Sequence, residues 1–484
     1  MKTAAHRRYD RFLFSMCGLS GLMYGIDVGL IAAALPYIRA TCDFSTTQLA
    51  SVVSAVLLGS IFGKMIAAQV CERFGRLQAL RLTAVVFCVA VPVICFSGGA
   101  FALMFGGRLL QGVGCGMMGL ATPIYMAECS PAESRGRNAG IIQLILCIGL
   151  VVAAVVGLVV TATFGAADAD SVPVAQKVHA WQTIFWISIA PCFAMLVCSL
   201  RLRESPRWLF SRGREEEARR SLLANNPPED AEATLAEMRI NLAAAQAVPT
   251  TGGETRRESV LQRKYVWPFL LAVTIATLTQ VTGVNTILNY SVVLMHKAGL
   301  TDTGANWSDT AIKTVNVIMT LVAVSLVDRA GRKVLLSIGA CGMAVGLLSV
   351  GCVFWSIERG WLAASPLAGW LATGGFIVFI AAFATGPGVC AWLTEGELMP
   401  TRIRANGMML DGFVQMTFSW LLAQLFLPWS AAFGESSVFF TLTGFAVAFC
   451  CVAAFLLPET KGRSLEEIER YFASCVGTKS ARCE

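Results

Sequence analysis

The sequence predicts an all-α membrane protein: twelve transmembrane helices in two pseudo-symmetric six-helix bundles, joined by a helical insert on the cytoplasmic side. Three observations carry that expectation. Hydrophobic residues make up 56% of the 484-residue chain and charged residues 14%, which lies outside the range of a water-soluble domain. Twelve apolar runs approach or exceed the ~20 residues that a membrane helix needs. Two charged motifs recur, each in the same loop of either half.

The runs occupy 12–36, 48–69, 81–100, 102–127, 139–163, 181–200, 265–295, 311–327, 334–355, 367–393, 406–430 and 436–457, numbered here as spans 1 to 12. Charges, Pro, Gly or Asn bound each of them. The KTAAHRRYDR stretch ahead of span 1 has the basic start of a secretory signal, and Ala32, Ala33 and Ala34 add small residues near the end of the run. A signal core holds ~7 to 15 apolar residues. This run is far longer and is expected to remain as the first helix.

Orientation follows from the cations, because Lys and Arg in short loops accumulate on the cytoplasmic side. Arg7, Arg8 and Arg11 precede span 1, Arg73 and Arg76 follow span 2, and Arg135 and Arg137 follow span 4. Arg329, Arg332 and Lys333 separate spans 8 and 9; Arg402 and Arg404 separate 10 and 11. The alternate loops carry only scattered cations, Arg39, Lys177, Lys297, Lys313 and Arg359. Both termini are therefore expected to be cytoplasmic. The same rule accounts for the net charge of +7, so no nucleic-acid partner is implied.

Many of the 17 cysteines, among them Cys88, Cys95, Cys115, Cys147, Cys192, Cys450 and Cys451, fall inside apolar spans. There they act as small hydrophobes. No C-x-x-C occurs, and His6, His179 and His296 are far apart in sequence, so neither a metal nor a redox cofactor is expected. Asn306-Trp307-Ser308 matches a glycosylation acceptor in an expected outside loop.

The one long polar stretch, 201–264, contains GREEEARRSLLANN and DAEATLAEMRINLAAAQA, helix formers with apolar residues at helical spacing, and then the flexible TTGGETRRES. The expected division is 1–204 for the first bundle, 205–264 for a helical linker, 265–460 for the second bundle and 461–484 for a cytoplasmic tail.

The two halves echo each other. Arg73-Phe74-Gly75-Arg76 follows span 2 and Arg329-Ala330-Gly331-Arg332 follows span 8. Span 4 ends with Glu128, Pro131 and Arg135; span 10 ends with Glu397, Pro400 and Arg404, at identical spacing. Such repetition indicates two related bundles. Glutamate at one helix end and arginine in the neighbouring turn can pair across helices, and pairs that break when bundles separate would form an inside gate. For any single arginine, enforcing topology serves as well.

These residues resemble the sugar porter family of the major facilitator superfamily, over nearly the whole chain from Tyr24 to about Lys461. The matching pieces are GRLLQGVGCGMMGLATPIYMAECSPAESRGR (107–137), RESPRWL (203–209), QVTGVNTILNY (280–290), DRAGRK (328–333), GPGVCAWLTEGELMPTRIR (386–404) and PETKGRS (458–464). The resemblance implies the major facilitator fold, with the substrate held between the bundles near the midplane. By position it implies Gln143, Gln280, Asn285, Asn316, Trp392 and Gln415 as sugar ligands. An amide offers a donor and an acceptor to a polyol hydroxyl, and Trp offers a flat apolar face with one N–H. Taken singly, each amide could equally be interhelical glue.

Some positions depart from the family pattern. Thr279 replaces the first Gln of the span 7 motif, and Asn289-Tyr290 stands where the family has Tyr-Tyr, putting an amide at Asn289 where an aromatic contact is expected. Leu77 replaces a third cation after RFGR. The pocket so altered could suit a pentose, a hexose or a cyclic polyol such as inositol.

Asp27 is the charge inside span 1, and a charge at membrane depth costs ~2.5 to 3.5 kcal/mol on an insertion scale. Arg108, embedded in span 4, is its expected partner, and the two resemble the Asp-Arg pair of proton-coupled family members. Facilitative relatives commonly carry a neutral residue at the Asp27 position. Burial favours the neutral acid and a nearby guanidinium favours the carboxylate. Movement of Arg108 would therefore couple a proton to the transport cycle. A static pair joining spans 1 and 4 is the alternative, although Gly112, Gly114 and Gly116 already permit close helix packing.

The resulting expectation is a secondary active transporter that imports a monosaccharide, hexose or pentose, by alternating access coupled to protons. It is placed in the plasma or bacterial inner membrane, as a monomer with no cofactor. Its partners would be the sugar, protons and the lipid bilayer. A facilitative sugar or inositol uniporter, or a membrane sugar sensor, are the alternatives; a sensor usually carries a longer signalling tail than the residues after span 12. No nucleophile-base pair, phosphate loop or metal cluster suggests an enzyme.

Overall fold

A backbone inside a bilayer must satisfy its own hydrogen bonds, and every long apolar run here does so as helix. The computed structural model describes residues 4–129, 135–247, 263–399 and 404–461, with Glu467, Tyr471 and Phe472; the side chains of 4–5, 135–141, 241–247, 263–264, 404–406 and Asp328 are outside that description. The first half comprises α1 (Ala4–Thr41), α2 (Thr46–Arg73), α3 (Arg76–Cys95), α4 (Phe101–Cys129), α5 (Arg135–Phe164), α6 (Val174–Ile187) and α7 (Ile189–Ser199). The insert holds α8 (Pro206–Ser211), α9 (Glu215–Asn225) and α10 (Pro228–Ala247). The second half comprises α11 (Arg263–Val281), α12 (Val284–Lys297), α13 (Asp302–Ala330), α14 (Arg332–Glu358), α15 (Pro366–Thr385), α16 (Pro387–Leu398), α17 (Arg404–Phe433) and α18 (Glu435–Cys451), which runs into a π-helical turn over Val452–Leu456. No strand occurs among the described residues.

Three spans are broken. Span 6 divides at Ser188, span 10 at Gly386, and span 7 at Thr282-Gly283, where Gly283 adopts a φ of +88°. By length and hydropathy, eleven helical stretches among the described residues can cross a membrane. The twelfth, α4, is diluted by Arg108, Gln111 and its glycines yet packs between α2 and α3. Those glycines set the spacing: a Cβ on Gly112 would stand 2.3 Å from Val56 O, and one on Gly116 2.2 Å from Ser60 O.

Span 8 starts earlier than its hydropathy indicates. Thr301 caps α13 by accepting from Gly304 N, with Asp302 in the first turn, so the polar stretch read as an outside loop is helix. Lys313 is consequently not a loop cation. It is fully buried and pairs with Asp309 one turn away at 2.7 Å. Asn306 is buried too, donating to Thr161 Oγ1 and Asp302 O, and so is not displayed as a glycosylation acceptor. Lys177, also read as a loop cation, sits in α6.

The insert docks on the first half. Trp208 Nε1 donates to Glu72 O at 2.9 Å, Tyr125 Oη to Arg203 O at 2.5 Å and Asn225 Nδ2 to Cys129 O at 3.1 Å. At this end each half carries the same cap. Gly75 (φ +106°) and Gly331 (φ +88°) turn the chain into α3 and α14 in a region closed to most side chains. The freed N–H groups of Arg76 and Leu77 donate to Glu204, and those of Arg332 and Lys333 to Glu459. A carboxylate at a helix N-terminus meets both the orphan donors and the positive end of the dipole.

Candidate functional site

Between the halves lies a cavity of about 1140 Å³. Its lining reaches the insert end, where it includes Glu72 and Arg76. At the far end the halves meet. Ser54 Oγ donates to Gln424 Oε1 at 2.6 Å, Gln424 Nε2 donates to Ser51 Oγ at 3.0 Å, and Lys313 Nζ reaches Gly29 O at 3.4 Å. An apolar core with members from α1, α2, α12 and α17 continues that closure. The arrangement is open to the insert end and shut at the other.

All seven residues expected to hold the substrate line this cavity: Gln143, Gln280, Asn285, Asn289, Asn316, Trp392 and Gln415. The broken helix α11–α12 supplies three of them. Gln280 Nε2 donates to Gln415 Oε1 at 3.2 Å, and Asn285 Nδ2 donates to Gln280 Oε1 at 2.9 Å and to Ser419 Oγ at 3.0 Å. This network fixes the amide planes. Asn289 is 4% exposed and its Oδ1 has no donor, so it offers a ready acceptor to a hydroxyl. Its neighbour Tyr290 turns away, stacking on Phe426 and donating to Ala423 O. Trp392 presents an exposed ring, with Lys64 Nζ 5.9 Å from its centroid. Where α5 meets α13, Gln143 and Asn316 both lie near Cys147 Sγ, at 4.0 and 3.9 Å.

Asp27 and Arg108 are each 1% exposed and electrostatic neighbours, but they form no direct ion pair. Cys115 Sγ donates to Asp27 Oδ2 at 3.3 Å, while Asp27 Oδ1 is buried without a donor. Arg108 instead donates to Gln111 Oε1 at 2.9 Å and lies over the Phe185 ring. Cys115 and Arg108 line the cavity, so Asp27 sits one side chain behind its wall.

The arginine and glutamate motifs pair within halves. Arg76 makes a two-pronged contact with Glu128, both bonds at 2.9 Å, and Ser205 adds a short hydrogen bond to the same carboxylate. Arg332 approaches Glu397 at 3.3 Å. With the insert end open these pairs are intact, joining α3 to α4 and α14 to α16. Arg73 and Arg329 are exposed at the same end. The side chains of Arg135 and Arg404 lie outside the described residues.

Sequence reasoning missed Glu204 and Glu459, which lie in quoted motifs but act on backbone donors far away in sequence. It also missed Lys64, Glu395 and Asp411 on the cavity wall, although a charge inside an apolar run was the signal that found Asp27. Among the described residues one donor set is compatible with a cation, Asp168, His296 and Asp302, with ligand atoms within 4.8 Å. It lies at the closed end, where His296 contacts Asp302 and Asp168 N donates to Asp302. The hydrogen bond with Asp302, together with burial, pushes the Asp168 carboxyl up from its usual range.

The family model for sugar (and other) transporters matches residues 13–472. The chain belongs to this sugar porter family. Similar curated proteins include a probable metabolite transport protein, CsbC, of Bacillus subtilis, 30% identical over 96% of this chain and 94% of that protein. The galactose-proton symporter of Escherichia coli is 28% identical over 95% of this chain and 93% of that protein. In fold, this sugar porter is similar to the xylose transporter XylE of E. coli in a partially occluded inward open conformation. The TM-score is 0.79 at 22% identity, covering 94% of this chain and all of the other. The protein is thus an integral membrane transporter of the major facilitator fold, and not an enzyme.

Proposed function

We propose that this sugar porter imports a monosaccharide, hexose or pentose, by alternating access coupled to protons, with both termini in the cytoplasm. The observation that carries this reading is the convergence of seven polar or aromatic side chains from both halves on one cavity that is closed at one end. Polyol hydroxyls would complete the open hydrogen-bonding capacity of Asn289 and of the Gln280–Asn285–Gln415 network. Rocking of the halves would then open the far end and close the insert end. Proton coupling rests on Asp27, buried behind Cys115 with an unsatisfied oxygen, and on Arg108, its electrostatic neighbour, which Gln111 holds in this arrangement and which could exchange that contact for Asp27. The galactose-proton symporter among the relatives supports it. The Arg76–Glu128 and Arg332–Glu397 pairs brace each half on the cytoplasmic side during this movement.

Reconstituted vesicles tested with labelled hexoses, pentoses and inositol, with internal pH recorded, decide the matter. Sugar-dependent acidification inside the vesicles and accumulation driven by a pH gradient are expected. Flux without proton movement would leave a uniporter, a reading favoured by the missing Asp27–Arg108 ion pair.

A further inference from the structure

Three ionisable side chains outside the expected site meet on the cavity wall. Lys64 comes from α2 in the first half, and Glu395 from α16 and Asp411 from α17 in the second. The acids are 2% and 1% exposed, and Glu395 Oε2 and both oxygens of Asp411 are buried without a hydrogen-bond donor. The two carboxyl groups are electrostatic neighbours on that wall. Two ionised carboxylates buried side by side repel, and a proton on one of them removes the repulsion and supplies the missing donor.

The charge count points the same way. The charged neighbours of the pair are each other and Lys64, whose ammonium lies 3.6 Å from where a Cβ would stand at Gly412. Two negative charges against one positive, in a mostly dry wall, leave one positive charge missing. A metal cation needs a shell of several oxygens, whereas a proton needs one donor and one acceptor. We propose that Glu395 and Asp411 form a proton-binding pair in the second half, one carboxyl donating to the other, with Lys64 of the opposite half as countercharge.

Only an O–H bond forms or breaks: one carboxylate takes a proton from cavity water and returns it there. Lys64 belongs to the other half, so rocking changes its distance from the pair and ties proton binding to which end is open. The pair is separate from Asp27, which lies behind Cys115 in the first half. It stands whether or not Asp27 couples transport.

Infrared difference spectroscopy on the purified full-length chain in sodium-free buffer tests this through the C=O stretch of protonated carboxyls. At neutral pH the wild-type protein is expected to show such a band, and Glu395→Gln and Asp411→Asn are each expected to lose it, because one proton serves both groups. Asp411→Glu keeps a carboxyl and should shift the band's frequency, which covers the case in which a neutral variant fails to fold. No band in the wild type, a band undiminished in both neutral variants, or an unshifted band in Asp411→Glu overturns the proposal. So does saturable loss of the band when sodium is added at constant pH, which would make a metal cation the occupant. The measurement needs no sugar flux, so it fails or succeeds separately from the transport reading.

Discussion

The two halves carry the same bracket around different interiors. At the insert end each turns through a left-handed glycine, caps the next helix with a distant glutamate and pairs arginine with glutamate. Inside, the first half holds Asp27 behind a wall formed by Arg108 and Cys115, while the second lines the cavity with Gln280, Asn285, Asn289 and Gln415. Scaffold has been repeated; the interiors differ. The first half buries Asp27 beside Arg108 and adds Gln143 to the cavity, while the second contributes most of the amides and the Glu395 and Asp411 carboxyls.

That difference is open to attack. Asp27→Asn should lower sugar accumulation under a pH gradient about tenfold or more, the factor that 1.4 kcal/mol commands, while counterflow survives. Equal loss of both would move Asp27 from coupling to structure. The repeated bracket is tested by Gly75→Ala and Gly331→Ala, whose Cβ atoms would stand 2.2 Å from the Glu204 carboxylate and 2.5 Å from that of Glu459. Each should cost about 1–3 kcal/mol in chemical unfolding through strain at positive φ; one silent variant would show that the brackets are unequal.

Recognition by the second half predicts that Gln280→Ala raises KM about five- to tenfold, since two amide hydrogen bonds of roughly 0.5–1.5 kcal/mol each are disturbed. Gln143→Ala, which loses only a long contact to a thiol, should do less, and the reverse order in uptake kinetics would break the comparison. The smallest effect belongs to the closed end. The Asp168 carboxyl is pushed up beside Asp302, so its contribution to closure is present at low pH and is lost as pH rises through that raised value. Asp168→Asn should remove this dependence, an effect of about twofold or less on far-end accessibility because the group is mostly exposed and screened. Cysteine labelling at that end against pH would read it; an undiminished pH response would place the titration on His296 or Asp302.

Much of this was legible in the primary structure because its signals are local. Apolar length marks a span, and a repeated Glu–Pro–Arg spacing marks a repeat. The amide positions at Gln280, Asn285 and Gln415 came through resemblance and line one cavity. What escaped depends on partners distant in sequence. Asn306 and Lys313 read as loop residues because polarity mimics a loop until Thr161 and Asp309 bury them. Lys64 and Asp411 are single charges in separate runs, and only tertiary packing makes them neighbours of Glu395. Arg108 is buried as expected, yet Gln111 and Cys115 take the contacts foreseen between it and Asp27.

The Asp309–Lys313 pair has a thermodynamic consequence for the cycle. Both ions are dry while the far end is shut, and Lys313 also touches Gly29 of the opposing half. Opening that end admits solvent to two groups whose hydration is strongly favourable. Hydration of the pair therefore favours the arrangement open at that end and opposes the apolar seal.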